Sequence, residues 1–338
     1  MAWSRGKTLK NNRYIIQEIL GKGRFSLTYL AKNSQNDDKF VIKTAKDVFL
    51  NLGKFKELQN SLSEEAVKLA KCHHPHIVEI KDTFYEDNIY CIVMEYISGK
   101  TLDKRDNKII SEKEALNYIQ QIGNALIEVH NHQLLHRDIR PGNIIIRTGK
   151  AEAVLIDFGL ALNFDHELTK TRTEELAKGF APIECYYRDG KRSAYTDIYS
   201  LGANLYELLT GTTPVSAIER KLENKLLIPP KTINSAISDR TNHAILNAME
   251  LEASDRPQSV QDWLKQLDLS PNGVKISSNS GFSIRAINWT VFWTAIAAIA
   301  ALLTALGLPQ IVETLLTPQS TPTPTPTVSP SPSSSSQP

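Results

Sequence analysis

The pattern of apolar and polar positions changes character once along residues 11–268. Up to about Tyr96 it comes in short β-like runs: YIIQEIL (14–20), SLTYLAK (26–32), KFVIK (39–43), IVEIKDTF (77–84) and IYCIVMEY (89–96). One helical stretch, 55–71, interrupts them. Beyond Tyr96 helical spacing dominates, as in EALNYIQQIGNALIEVH (114–130) and TDIYSLGANLYELLT (196–210). A β-rich part followed by an α-rich part predicts an α+β body of two lobes over 11–268, with a cleft between them where ligands tend to bind. No internal repeat is visible.

A different pattern follows. Residues 286–312 are 27 consecutive positions without a charge. Their apolar centre, WTVFWTAIAAIAALLTALGL, can cross a hydrocarbon core of about 30 Å as a helix. Trp289 and Trp293 suit a membrane interface near its first end. A buried helix of a soluble domain is the alternative, but the run is longer than such helices and no amphipathic stripe interrupts it. One transmembrane helix is therefore expected at 286–312, after a juxtamembrane linker at 269–285. Lys275 and Arg285 precede the span and no lysine or arginine follows it. That asymmetry predicts a single-pass protein of the cell (inner) membrane, with the body cytoplasmic and the C-terminal tail extracytoplasmic. The tail, 313–338, is rich in proline, serine and threonine and has too little to bury to fold.

Composition narrows the function classes. Hydrophobic residues make up 41% and charged residues 22%, which excludes a wholly disordered or collagen-like chain. The average conceals the tail, where seven of the 16 prolines fall within the last 22 residues. A net charge of +2 gives no electrostatic case for nucleic acid as a partner. Cys72, Cys91 and Cys185 form no C-x-x-C pair, which speaks against a disulfide framework and a structural zinc site. The start, MAWSRGKTLK, lacks the apolar stretch of a signal peptide.

The candidate chemistry lies in the body. GKGRFS (21–26) stands between two β-like runs, and glycines there let backbone N–H groups approach phosphate oxygens. An ordinary glycine hairpin would give the same letters. KFVIK follows, ending on Lys43, and Glu65 sits on the one helical stretch of this part. The decisive run is LLHRDIRPGNIII, with IDFG fourteen residues after Asn143. Asn143 and Asp157 are oxygen donors of the kind magnesium favours. Asp138 is placed to take a proton from an attacking hydroxyl. CHHPH (72–76) has metal-like letters, but histidines so crowded cannot all face one ion, and zinc is not expected there.

In this order the residues resemble the eukaryotic-type (Hanks-type) protein kinases, specifically the membrane-anchored Ser/Thr kinases of bacteria. The resemblance covers about residues 14–267, three quarters of the chain. It implies a bilobal protein-kinase fold, ATP and Mg²⁺ as cofactors, and protein substrates. Gly21, Lys22, Gly23, Arg24, Phe25, Ser26 and Thr28 would cover the nucleotide, and Lys43 would hold its α/β-phosphates and pair with Glu65. Met94 would be the gatekeeper, with Glu95 and Tyr96 contacting adenine through backbone groups. Asp138 would be the catalytic base, Arg140 the positive charge near the γ-phosphate, and Asn143 and Asp157 the metal ligands. Glu184 of APIE would pair with Arg256 of SDRP, and Asp197 resembles the buried helix aspartate that braces the catalytic loop.

Four positions depart from the family pattern. Ser26 replaces the third glycine, Thr28 the usual valine, Arg140 the usual lysine, and Ala177 a threonine that Ser/Thr kinases usually carry. Pro141 and Gly142 nevertheless follow the Ser/Thr pattern. None of the four removes a phosphate-binding, metal-binding or base group, so an active kinase is expected. A membrane-tethered pseudokinase scaffold is the alternative. Arg137 could clamp a phosphate on Thr169, Thr171 or Thr173, and autophosphorylation there would make a second copy of the chain a partner.

Overall fold

Asp87 and Asn88 both adopt left-handed backbone, at φ 50° and 63°. They form the tight turn between β5 (Ile80–Glu86) and β6 (Ile89–Glu95), a conformation that Asp and Asn tolerate better than most residues. With β1 (Thr8–Leu9), β2 (Tyr14–Lys22), β3 (Ser26–Asn33) and β4 (Lys39–Ala45) these strands form a six-stranded antiparallel sheet, ordered β1-β2-β3-β4-β6-β5. One face buries Tyr14, Ile16, Tyr29, Ile42 and Val93. Tyr14 stacks on Phe84 and meets Phe40 edge-on, with ring centroids 5.9 and 5.6 Å away. The other face buries Ile92 and Met94 in the same core as Leu62, Ala66 and Leu69 of helix α1 (Phe55–Leu69).

These elements belong to a computed structural model that describes residues 2–23, 26–46, 55–158, 179–187 and 189–269, all within one unit spanning Met1–Val274. Within α1 the side chains of Glu57, Leu58, Ser61 and Glu65 are not described. The expectations for Arg24, Phe25, Thr169, Thr171, Thr173, Ala177, the linker beyond residue 269, the membrane span and the tail lie outside the described residues. Among the described residues no helix is long and apolar enough to cross a membrane.

Past Glu95 the chain enters a helical lobe. A small sheet, β7 (Gly99–Thr101), β8 (Ile144–Arg147) and β9 (Ala153–Leu155), carries the loops of interest. Helix α2 (Glu112–Asn131) starts at Ser111, whose hydroxyl accepts from the Glu114 N–H at 3.2 Å. Helix α3 (Ala194–Thr210) is buried nearly all round, polar Thr196, Asp197 and Asn204 included, and lies at the centre of the lobe. It ends at Gly211, left-handed at φ 69°, whose N–H returns to Glu207 O at 2.8 Å. Around it pack α2, α6 (Asp239–Ala248) and α7 (Val260–Gln266), with the short α4 (Ala217–Leu222) and α5 (Pro230–Ile233) alongside. Gly202 permits the α3–α6 contact, because a Cβ there would lie 2.7 Å from Ala248 Cβ.

The run read as a strand from Ile77 begins instead at Ile80. Val78 donates its N–H to Leu155 O at 3.0 Å, and the Leu155 N–H returns to His76 O at 2.9 Å. Ile77 and Val78 are thus used to join the two lobes, where their apolar side chains are equally well buried. Within CHHPH, His76 Nδ1 faces Ala153 O at 2.7 Å and His74 Nδ1 accepts from the His76 N–H at 3.2 Å.

Candidate active site

Strand register assembles the first half of the site. Gly21 of β2 lies opposite Thr28 of β3, and Thr28 lies opposite Lys43 of β4. Cross-strand neighbours share a face, so Gly21, Thr28 and Lys43 lie on one face of the sheet. Gly23 turns close over Ser26, and a Cβ on it would come within 3.0 Å of Ser26 Oγ. Ser26, in the place of a third glycine, thus limits the room for a side chain at Gly23. The Lys43 side chain is only 12% exposed and its ammonium pairs with Asp157 Oδ1. Glu65 falls within α1 as expected, while its side chain, and so the expected Lys43–Glu65 pair, lies outside the described residues.

The second half is the loop 136–143 and the residues that hold it. Asp197, fully buried on α3, accepts the backbone N–H of His136 at 2.9 Å and that of Arg137 at 2.8 Å. His130 Nε2, from the last turn of α2, approaches the same carboxylate at 2.8 Å. Burial alone would raise the Asp197 carboxyl, but His130 and the backbone donors outweigh it and hold it below the usual range. This grip matters because Arg137 is left-handed at φ 65°, a costly conformation for a side chain of its kind. The buried His136 ring donates from Nε2 to Ile156 O at 3.0 Å and accepts the Asp138 N–H on Nδ1 at 3.3 Å. Burial keeps that ring below its usual pKa, in line with the neutral tautomer these bonds require. Asn204, two turns further along α3, donates to Ile139 O at 3.1 Å.

Asp138 and Asn143 meet at the floor of the cleft. Asn143 Nδ2 donates to Asp138 O at 2.7 Å and to Asp138 Oδ2 at 2.8 Å, which leaves the amide oxygen Oδ1 for another partner. Arg140 Nε stands 3.4 Å from Asp138 Oδ1. The Asp138 side chain is 39% exposed. Burial at the cleft floor still pushes its pKa up to about 6; Arg140 opposes the rise and Asp157 adds to it. Asp157 itself, left-handed at φ 60°, lies beyond Ile156, whose N–H bonds Asn143 O at 2.9 Å. Burial would raise the Asp157 carboxyl, but the Lys43 ammonium holds it below the usual range.

Others of the expected residues lie elsewhere among the described residues. Met94, 9% exposed, lies between Val41 of β4 and Ile80 of β5. Tyr96 is half-open to solvent, with Lys39 Nζ 5.4 Å from its ring centroid. The N–H of Glu95 is already donated to Glu79 O at 2.9 Å, so only its carbonyl could serve a base. Glu184 and Arg256 form a buried two-pronged pair at 2.8 and 3.0 Å, and Thr196 Oγ1 adds a third bond to Glu184 at 2.9 Å. The sequence pattern missed His130, Thr196 and Asn204. His130 stands six residues before His136, a spacing that an α2 ending beside the loop could have suggested.

Chemically, a carboxylate and a free amide oxygen suit a hard divalent cation. An ammonium and a guanidinium suit phosphate oxygens, and an unprotonated carboxylate at neutral pH suits proton abstraction from a hydroxyl. The family model described as "Protein kinase domain" matches residues 14–267. A Clostridium perfringens protein named "Probable serine/threonine-protein kinase" is 34% identical over 294 residues, covering 81% of this chain and 41% of its own length. Serine/threonine-protein kinase PrkC of Bacillus subtilis is 32% identical over 262 residues, covering 75% of this chain and 39% of its own length. The solved structure titled "PpkA-294 apo form" superimposes with a TM-score of 0.67 at 27% identity, covering 79% of this chain and 99% of that one. The chain thus spans about two fifths of the length of the curated relatives it matches.

Proposed function

This chain belongs to the protein kinase family, and from that premise we propose that it transfers the γ-phosphoryl group of ATP to serine or threonine hydroxyls of proteins. The observation that carries the reading is the convergence of Lys43, Asp138, Asn143 and Asp157 in one cleft, with Asp138 carrying a pKa near 6. The substrate hydroxyl gives its proton to Asp138 as its oxygen bonds to the γ-phosphorus. The bond from that phosphorus to the β,γ-bridging oxygen breaks, and ADP leaves with the electron pair. Lys43 orients the phosphates, and Arg140 supplies positive charge to the transferred group. Magnesium, when held by Asp157 and Asn143 Oδ1, would neutralise phosphate charge. Preference for Ser/Thr over Tyr is supported by the names of the relatives and by Pro141-Gly142 after Arg140.

The setting proposed for this reaction is the cytoplasmic face of a membrane, on the strength of the uncharged 286–312 run and the basic residues before it. Autophosphorylation at Thr169, Thr171 or Thr173, between two copies of the chain, is part of the same proposal. The test pairs wild type with Asp138→Asn. Both should gain thermal stability with Mg-ATP, and only wild type should pass radiolabel to itself or to a generic protein substrate. Nucleotide binding without transfer by wild type would establish the pseudokinase instead. Mass spectrometry after incubation with Mg-ATP checks the threonines, and no added phosphate there would refute that site.

A further inference from the structure

The carboxylate of Glu95 bridges the two lobes. Its Oε1 accepts the Glu79 N–H, on the sheet side, at 3.1 Å. Its Oε2 accepts from Arg147 Nη2, at the end of β8 in the helical lobe, also at 3.1 Å. Both side chains are mostly buried, at 20% and 27% exposure, so solvent screening weakens the pair less than it would a surface one. The segment following Glu95 is fastened to the same strand. The Thr148 N–H donates to Ser98 O at 2.9 Å, and Gly99 pairs with Arg147 in the β7–β8 register. The approach at Gly99 is close: a Cβ there would meet Ile146 O at 2.1 Å.

We propose that Arg147 is a positioning residue for the nucleotide base, acting through Glu95. The inference rests on the kinase reading, in which the Glu95 carbonyl receives the base. The Glu95 N–H, donated to Glu79 O, fixes the peptide before the residue; the carbonyl lies in the peptide after it, whose orientation depends on how the rest of the residue is held. Arg147 supplies the hold from the helical lobe. Its side chain bonds Glu95 and faces Glu152 rather than Lys43, Asp138, Asn143 or Asp157, so its loss should act on binding and on base choice rather than on the transfer step.

The test uses the full chain with a peptide substrate, measuring kcat and KM for ATP and for GTP, together with binding of a fluorescent ATP analogue. Arg147→Ala should raise KM for ATP by about five- to tenfold with kcat held within about twofold. The ratio of kcat/KM for ATP to that for GTP should fall. Arg147→Lys, which keeps the charge without the planar fork, should recover part of the affinity. Glu152→Gln removes an acid 3.8 Å from the same guanidinium and should leave KM unchanged. Unaltered KM and base preference in both Arg147 variants, alongside normal wild-type turnover, would overturn the inference. A fall in kcat and melting temperature with no change in KM would also overturn it, as the mark of a purely structural role. A wild type that binds no nucleotide would instead refute the kinase reading.

Discussion

Replacing Asp197 by Asn removes a charge without changing the size of the side chain, and so tests what holds the catalytic loop. The carboxylate accepts three hydrogen bonds, from the N–H groups of His136 and Arg137 and from His130. An amide can accept on one side only. In its better orientation the oxygen faces His136 and His130, and the NH₂ then opposes the Arg137 N–H, donor against donor. A buried donor left unsatisfied costs about 1–3 kcal/mol, and the two surviving bonds lose their charge assistance. We expect about 2–4 kcal/mol against the native loop, bearing on a residue already held at φ 65°. If that full amount is lost from the competent geometry, kcat falls by roughly 30- to 1,000-fold. Lys43, Asp157 and the glycine hairpin are untouched, so affinity for a fluorescent ATP analogue should stay within about threefold. The assay is steady-state transfer to a peptide, with that binding measurement beside it. A variant within about threefold of wild-type kcat would refute the claim that these bonds set the loop.

Three further expectations follow from the same geometry. Asp138 must be ionised to accept a proton, so with its pKa near 6 kcat/KM should climb through about pH 6 and level off above it; a flat profile from about pH 5 to 7 would count against it as the base. Arg256→Ala leaves Glu184 buried with Thr196 as its remaining side-chain donor, a loss of about 3–5 kcal/mol that should lower the melting temperature by roughly 10 °C; a shift of under about 2 °C would contradict it. Gly202→Ala puts a methyl 2.7 Å from Ala248 Cβ and should cost about 1–3 kcal/mol in urea unfolding as α3 and α6 move apart; an unchanged midpoint would show that the helices have slack.

The polar centre was largely legible in the sequence because its residues cluster in two short runs. Asp138 and Asn143 share a loop, Asp157 follows one hairpin later, and strand register puts Lys43 on the same face as Gly21. What was not legible depends on side chains meeting across long separations. His130 reads as the polar end of an amphipathic helix until α3 brings Asp197 to it. The side chains of Arg147 and Glu95 stand 52 residues apart and give no local sign of one another until the hinge folds onto β8. Ile77 and Val78 show the opposite limit. Their letters suit a strand, yet the backbone bonds they make run to the other lobe, and local pattern cannot distinguish one apolar burial from another.

Helix α3 has a consequence for spacing. Thr196 holds the segment containing Glu184, Asp197 holds residues 136 and 137, and Asn204 holds Ile139. Because a helix advances about 1.5 Å per residue, the outermost of these grips stand roughly 12 Å apart along its axis. The helix is therefore a ruler, and the separation between its hold on residues 136 and 137 and its hold on Ile139 is written in its residue count. One residue inserted between Asp197 and Asn204 would turn everything beyond it by about 100°. Asn204 would then face away from Ile139, and the catalytic loop would lose one of its supports though no residue that touches substrate had changed.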